Sequence, residues 1–241
     1  TGLQGLDIVY SMDTADELLL LRTLPNLRHL SVNYGEEVHY SRAASAWPQL
    51  SMFESLDFSF DNNMEELTLS VQKVEQMIKQ AAAAHSVTRL KFFSFIDRDM
   101  EDDFAQYRAD YVQKLPLSVG KYVASLSDLR ELELSVLRHT DTYQIVMSAG
   151  DVQQLSSLTA LTSLRLCVNG VSDVDIIVLA LRLKLLQRLV VPFSAISPTS
   201  LSIIRHEGPP ALERLTIVDA PASEFSNEGW YDLGERIHVE L

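Results

Sequence analysis

Residues 158–170 read LTALTSLRLCVNG, with leucines at 158, 161, 164 and 166 followed by Asn169. Strand side chains alternate, so Leu164 and Leu166 point to one side of a short strand while Leu158 and Leu161 anchor the approach. Asn169 turns the chain out, its side-chain amide satisfying backbone groups that strand geometry leaves unpaired. One such segment cannot bury its own apolar face, so the pattern constrains the fold only if it recurs. It does recur, at Leu3, Leu6, Ile8; Leu27, Leu30, Val32; Phe53, Leu56, Phe58; Val87, Leu90, Phe92; Leu129, Leu132, Leu134; Leu186, Leu189, Val191; and Leu212, Leu215, Ile217. With the opening stretch this makes eight copies, whose first anchors are 24, 26, 34, 42, 32, 25 and 26 residues apart, so the middle units carry insertions. The place of Asn169 is taken by Ser11, Gly35, Asp61, Ser194 and Ala220, but by Phe95 and Leu137 in the fourth and fifth copies, whose turns must be built differently.

Between the strands the period becomes helical. Asn63 to Glu66 reads as a helix start with a reciprocal cap, followed by Leu67, Val71, Val74, Ile78 and Ala81 on one face. Ser172 to Asp175 opens another helix, and Ser197 with Pro198 a third, the proline sitting where its missing N–H costs nothing. Shorter candidates lie at 14–22 and 36–46. Strand, turn and helix repeated eight times with parallel strands predict an arc lined by the sheet and walled by helices.

The L-x-x-L-x-L-x-x-N pattern and its recurrence resemble the leucine-rich repeat family over nearly the whole chain. The 24 to 26 residue periods are similar to the longer-repeat branches: the ribonuclease-inhibitor-like group and the repeat domains of F-box proteins and intracellular immune receptors. The resemblance implies an α/β fold, a right-handed horseshoe solenoid with a parallel inner sheet of about eight strands and outer helices. It also implies one domain over 1–241, belonging to a longer chain, that acts as a protein-binding scaffold without chemistry of its own. Two other roles fit: the substrate-recognition domain of an F-box-type ubiquitin ligase, or a structural subunit of a large assembly. No F-box segment, nucleotide-binding domain or cysteine-bearing turn series lies within the sequence, and the resemblance transfers no partner.

A formal charge of −13 repels a phosphate backbone and argues against nucleic-acid binding. Cys167 is the only cysteine, which excludes an intrachain disulfide and a cysteine zinc site, and no Asn-x-Ser/Thr sequon occurs. The longest apolar runs fall short of a membrane span and no secretory signal opens the chain, so a cytoplasmic protein is expected. Because the sequence starts at Thr1, almost inside the first copy, it reads as a trimmed domain.

Function must then come from the strand residues that alternate away from the core: Gly5, Asp7, Val9; His29, Ser31, Asn33; Ser55, Asp57, Ser59; Arg89, Lys91, Phe93; Glu131, Glu133, Ser135; Ser163, Arg165, Cys167; Arg188, Val190, Pro192; and Arg214, Thr216, Val218. Five are basic and four acidic, so this face is set apart from a chain of net −13. Its charges are sorted, with Asp7 and Asp57 in the first half and Arg165, Arg188 and Arg214 on three successive strands. The expected partner site comprises Arg89, Lys91, Phe93, Arg165, Arg188 and Arg214, with an acidic or phosphorylated peptide across the arginines. The competing explanation is that these arginines are soluble exposed residues paired with nearby Asp or Glu.

The insertion at 96–127 offers a second surface. An acidic run at 97–103 precedes Phe104, Tyr107, Tyr111 and Leu115 at helical spacing, then Pro116 and a short helix from Tyr122 to Leu126. The stripe reads either as packing on the outer wall or as a docking site. Residues 138–150 read as a second irregular loop. Catalysis finds little support: the six histidines are scattered without metal-ligand spacing, and no phosphate loop, dinucleotide motif or nucleophile elbow occurs. Cys167 reads as a small filler and His29 as a surface residue, so no enzyme, metal or cofactor is expected.

Overall fold

The structure, a computed structural model, describes residues 2–10, 21–34, 53–61, 75, 78–79, 82, 87–95, 113–137, 143–218 and 238–240. Its strands are β1 (Gly5–Tyr10), β2 (His29–Tyr34), β3 (Ser55–Asp61), β4 (Arg89–Phe95), β5 (Gln113–Leu117), β6 (Glu131–Leu137), β7 (Tyr143–Met147), β8 (Ser163–Cys167), β9 (Arg188–Pro192), β10 (Arg214–Val218) and β11 (His238–Glu240). Nine of them form one sheet in the order β1-β2-β3-β4-β6-β8-β9-β10-β11, every pairing parallel. Each copy of the sequence pattern supplies one strand, and β11, which follows the eighth copy, pairs with β10.

The copies stay in phase despite their insertions. Leu6, Leu30, Leu56, Leu90, Leu132, Leu164, Leu189 and Leu215 form a single register row. A repeated hydrogen-bond step sets that row. The Gln4 carbonyl accepts from the N–H groups of Arg28 and His29; the carbonyls of Arg28, Glu54, Thr88, Arg130, Thr162 and Gln187 each accept the equivalent pair in the next unit, all at 2.7–3.1 Å. The chain enters several strands through consecutive three-residue turns, Leu155 to Leu158 to Leu161 among them, and such spacing stacks their side chains on one side. β3, β4 and β6 run on through Asp61, Phe95 and Leu137, which are successive register partners, so in these three copies the strand extends through the position that Asn169 holds in its own copy.

Alternation then gives the sheet one buried face. From the second copy onward, all three apolar positions of every unit are at most 3% exposed. In the first copy Leu3 is 51% exposed and Leu6 half-buried. The core joins this face to helices α1 (Gly120–Val123), α2 (Ala149–Leu155), α3 (Asp173–Arg182) and α4 (Pro198–Glu207), each touching the next. α3 and α4 begin where their caps predict, each with a reciprocal box, Ser172 with Asp175 and Ser197 with Ser200. Of the helix expected after Asn63, residues 75, 78, 79 and 82 are helical, and Ile78 and Ala82 are buried. Of the shorter candidates, 36–46 lies outside the described residues, as does 14–22 except for a 3-10 turn beginning at Leu21.

The insertions differ from expectation. Leu115 does not continue a helical stripe: it lies in β5, which pairs in parallel with β7, and β7 in turn occupies the segment expected to be an irregular loop. The short helix is Gly120–Val123, ending before Leu126. Pairing with a distant segment of the same chain overrides the local spacing here, because β5 and β7 occupy the same place after successive strands and satisfy each other's backbone. Pro116 is tolerated in this two-stranded sheet because an edge strand can lack one N–H. Val146 also bridges to Asn169, whose carbonyl accepts the Met147 N–H at 2.8 Å, and Leu117 and Met147 are buried. Residues 96–112 and 138–142 lie outside the described residues. No helix among the described residues is long and apolar enough to cross a membrane.

Candidate functional site

The second face of the sheet carries the residues that alternate away from the leucines, and register sorts them into rows. One row runs Gly5, His29, Ser55, Arg89, Glu131, Ser163, Arg188, Arg214; the next runs Asp7, Ser31, Asp57, Lys91, Glu133, Arg165, Val190, Thr216. None of these sixteen is buried. Parallel sheets are ordinarily covered on both sides, their strands reading as continuous apolar runs. Here eight parallel strands alternate instead, and one side is open.

Across the middle of the face the charges pair with one another. Arg89 Nε is 3.1 Å from Glu131 Oε2, and Glu133 is shared, its Oε2 3.5 Å from Lys91 Nζ and its Oε1 3.4 Å from Arg165 Nε. These side chains are only partly exposed, 21% for Glu133 and 34% for Arg165. The second row thus alternates in sign over four adjacent strands, Asp57, Lys91, Glu133, Arg165. Three of the six residues expected to meet a partner are therefore engaged within the sheet: Arg89, Lys91 and Arg165. The Arg165 guanidinium, expected to act with its two successors, instead sits in the row beyond them, opposite Val190.

Arg188 and Arg214 are register partners on β9 and β10 and both are exposed. Adjacent strands lie about 4.8 Å apart, so the two cations stand side by side. Phe93 pairs through its backbone with Ser59 and Ser135; its side chain lies outside the described residues. Cys167 and Ser135, expected on the open face, are register partners and are 6% and 0% exposed. Their small side chains fall in the shadow of neighbours only one strand spacing away.

On β1 to β4 the same face sinks into an open depression of about 530 Å³, lined by Gly5, Leu6, Asp7, His29, Leu30, Ser31, Ser55, Asp57 and Arg89. Small residues make it: Gly5, Ser31 and Ser55 cannot fill the space above their strands. Asp7 and Asp57 share a row with Ser31 between them. Burial pushes the Asp57 carboxyl above the usual carboxylate range; Lys91 opposes this, Glu133 adds to it, Arg89 opposes it, and Asp7 adds a smaller contribution. The sequence-based site omitted this depression and the role of Glu133. The signal was present as a run of Gly and Ser at outward positions of three consecutive strands.

In the second candidate region, the Nζ atoms of Lys121 and Lys79 are 4.7 and 5.8 Å from the ring centre of Tyr122 on α1. Among the described residues, no group of three His, Cys, Asp or Glu is placed to hold a metal ion. No known protein family matches the sequence, and no curated protein matches it either.

Proposed function

We propose that the chain is a leucine-rich-repeat solenoid of about eight repeats that serves as a non-catalytic scaffold, docking a partner protein or peptide on the open face of its sheet. The single observation that carries this reading is the open side of an eight-stranded parallel array, a surface such sheets ordinarily cover. The hydrogen-bond step repeated seven times from Gln4 to Gln187 supports the solenoid, since it makes every unit repeat its relation to the last. A cytoplasmic site of action fits a chain whose one cysteine is buried.

The experiment is steric. Ser31 and Ser163 are half-exposed on the face, so Ser31→Trp and Ser163→Trp fill it without touching the core. In affinity capture from native extract, partners held by wild type are expected to be lost from both variants while thermal stability is kept. If both tryptophan variants hold the same partners as wild type, the face is not the docking surface and the reading fails.

A further inference from the structure

The β1 end of the sheet differs from every boundary between units. β2 takes one side of β1, and no described residue pairs with the other. In each later unit the first anchor is at most 1% exposed, whereas Leu3 is 51% exposed and Leu6 half-buried. The pair of N–H groups that each later unit gives to a carbonyl of the unit before it belongs here to Gln4 and Gly5, and both residues are exposed with no acceptor for those groups among the described residues. Edge strands are ordinarily blunted by lysine, proline or a bulge. β1 has neither Lys nor Pro and a single charge, Asp7. We propose that this edge takes up one extended strand from a partner protein, parallel to β1 and of the pattern apolar-x-x-apolar-basic-apolar.

The hydrogen-bond step between existing units fixes how that strand lies. One of its carbonyls accepts from Gln4 and Gly5, as the Gln4 carbonyl accepts from Arg28 and His29, and this sets its three apolar positions in register with Leu3, Leu6 and Ile8. Main-chain hydrogen bonds supply the affinity and the apolar positions the selectivity. The basic residue falls beside Asp7, which is exposed in the outward row. The sheet already holds this arrangement in the same row, where Asp57 and Lys91 are register partners on β3 and β4. Positive charge also suits a chain of net −13, while a second copy is a poorer occupant because it brings the same negative charge to the contact.

The test uses fluorescence anisotropy at low ionic strength with a labelled peptide of residues 86–92, SVTRLKF, which has the pattern with Lys91 at its basic place. Seated by the same step, its Thr88 carbonyl accepts from Gln4 and Gly5 and its Lys91 lies beside Asp7. The controls are the same residues in an order that breaks the spacing, and the peptide with Lys91→Glu. The proteins are wild type, Gly5→Pro and Asp7→Lys. Gly5→Pro removes an outward donor but none that β2 uses, and a Cβ there would meet nothing nearer than His29 Cβ at 3.8 Å. Wild type is expected to bind the peptide at least about tenfold more tightly than the reordered control, and Gly5→Pro to lose that margin. Asp7→Lys is expected to weaken the peptide at least about threefold and to prefer its Lys91→Glu form, a reversal that misfolding cannot produce. Equal binding of the reordered peptide, binding that Gly5→Pro leaves intact, or no reversal with Asp7→Lys overturns the proposal. So does a doubled molar mass in sedimentation that Gly5→Pro abolishes, since a second copy would then hold the edge. Ser31→Trp and Ser163→Trp act on the open face rather than on this edge, so either surface can fail without the other.

Discussion

Arg165 reaches from β8 towards β6 so that its Nε lies 3.4 Å from Glu133 Oε1, while the other oxygen of that carboxylate is 3.5 Å from Lys91 on β4. One anion therefore links three strands that come from units with long insertions between them. The pairing decides which of the outward cations a partner can recruit without first breaking something. Among the described residues, Arg188 lies outside this network. Arg165 and Lys91 do not.

Removing the shared anion should expose this role. Glu133→Gln leaves two cations facing each other across β6, and partly exposed pairs of this kind contribute about 0.2–1 kcal/mol each. Urea unfolding is expected to show a loss of about 1 kcal/mol at low salt that shrinks in high salt, since screening weakens both the attraction and the new repulsion. A salt-independent loss would mean that Glu133 acts through packing rather than charge.

Asp57 has the opposite sign. Its folded-state carboxyl is raised above 3.8 chiefly by burial, so the native state holds this proton more tightly than the unfolded chain does. Between the unfolded and the raised folded value, stability from this group falls as pH rises, and at neutral pH its charge weighs against folding. Asp57→Asn is therefore expected to raise the urea midpoint at pH 7 and to leave it unchanged near pH 3. A lower midpoint at pH 7 would show that the favourable pull of Lys91 and Arg89 outweighs desolvation.

Gly170 follows Asn169 with φ at +83°, and a Cβ there would lie 2.5 Å from the Met147 carbonyl oxygen and from a Val146 methyl group. Gly170→Ala should cost more than about 1 kcal/mol, from both backbone strain and the approach of β7. Gly150, exposed on α2 with nothing nearer to its Cβ position than Ser148 Oγ at 3.7 Å, is the control: Gly150→Ala should be neutral or stabilising by up to about 1 kcal/mol. Equal thermal shifts in the two variants would contradict this account.

The leucine pattern alone predicted the sheet well, because each copy writes its own strand: Leu132 and Leu134 are buried wherever the intervening chain goes. Spacing failed at Leu115, where helical period and strand are both compatible with one apolar residue and only the partner strand, contributed by Tyr143 to Met147, decides between them. The charges were legible as residue types but not as pairs. Alternation placed Glu133 and Arg165 on the open face, yet their contact depends on a register that crosses a 32-residue step. The depression at Gly5, Ser31 and Ser55 was visible only as missing side-chain volume, which a search for charge and aromatic residues passes over.

The helical layer carries its own link between units, at Asp173. This residue sits in the first turn of α3, yet its Oδ1 accepts the backbone N–H of Ser197 at 3.0 Å and its Oδ2 the Ser197 hydroxyl at 2.8 Å, so it supports the cap of α4. Ser197 Oγ in turn accepts from the Ser200 N–H, and Ser200 Oγ also accepts the Ser197 N–H at 2.9 Å. Asp173→Ala thus removes a charge-assisted pair of bonds while leaving that N–H one acceptor, and the cost should be about 1 kcal/mol rather than the upper end of capping losses. Because Asp173 and Ser197 act through one network, the double change Asp173→Ala/Ser197→Ala should cost less than the sum of the single changes. Amide hydrogen exchange is expected to speed up in the first turn of α4 before it does in β1. Additive losses, or exchange that rises equally across the sheet, would show that neighbouring units are tied by the core alone.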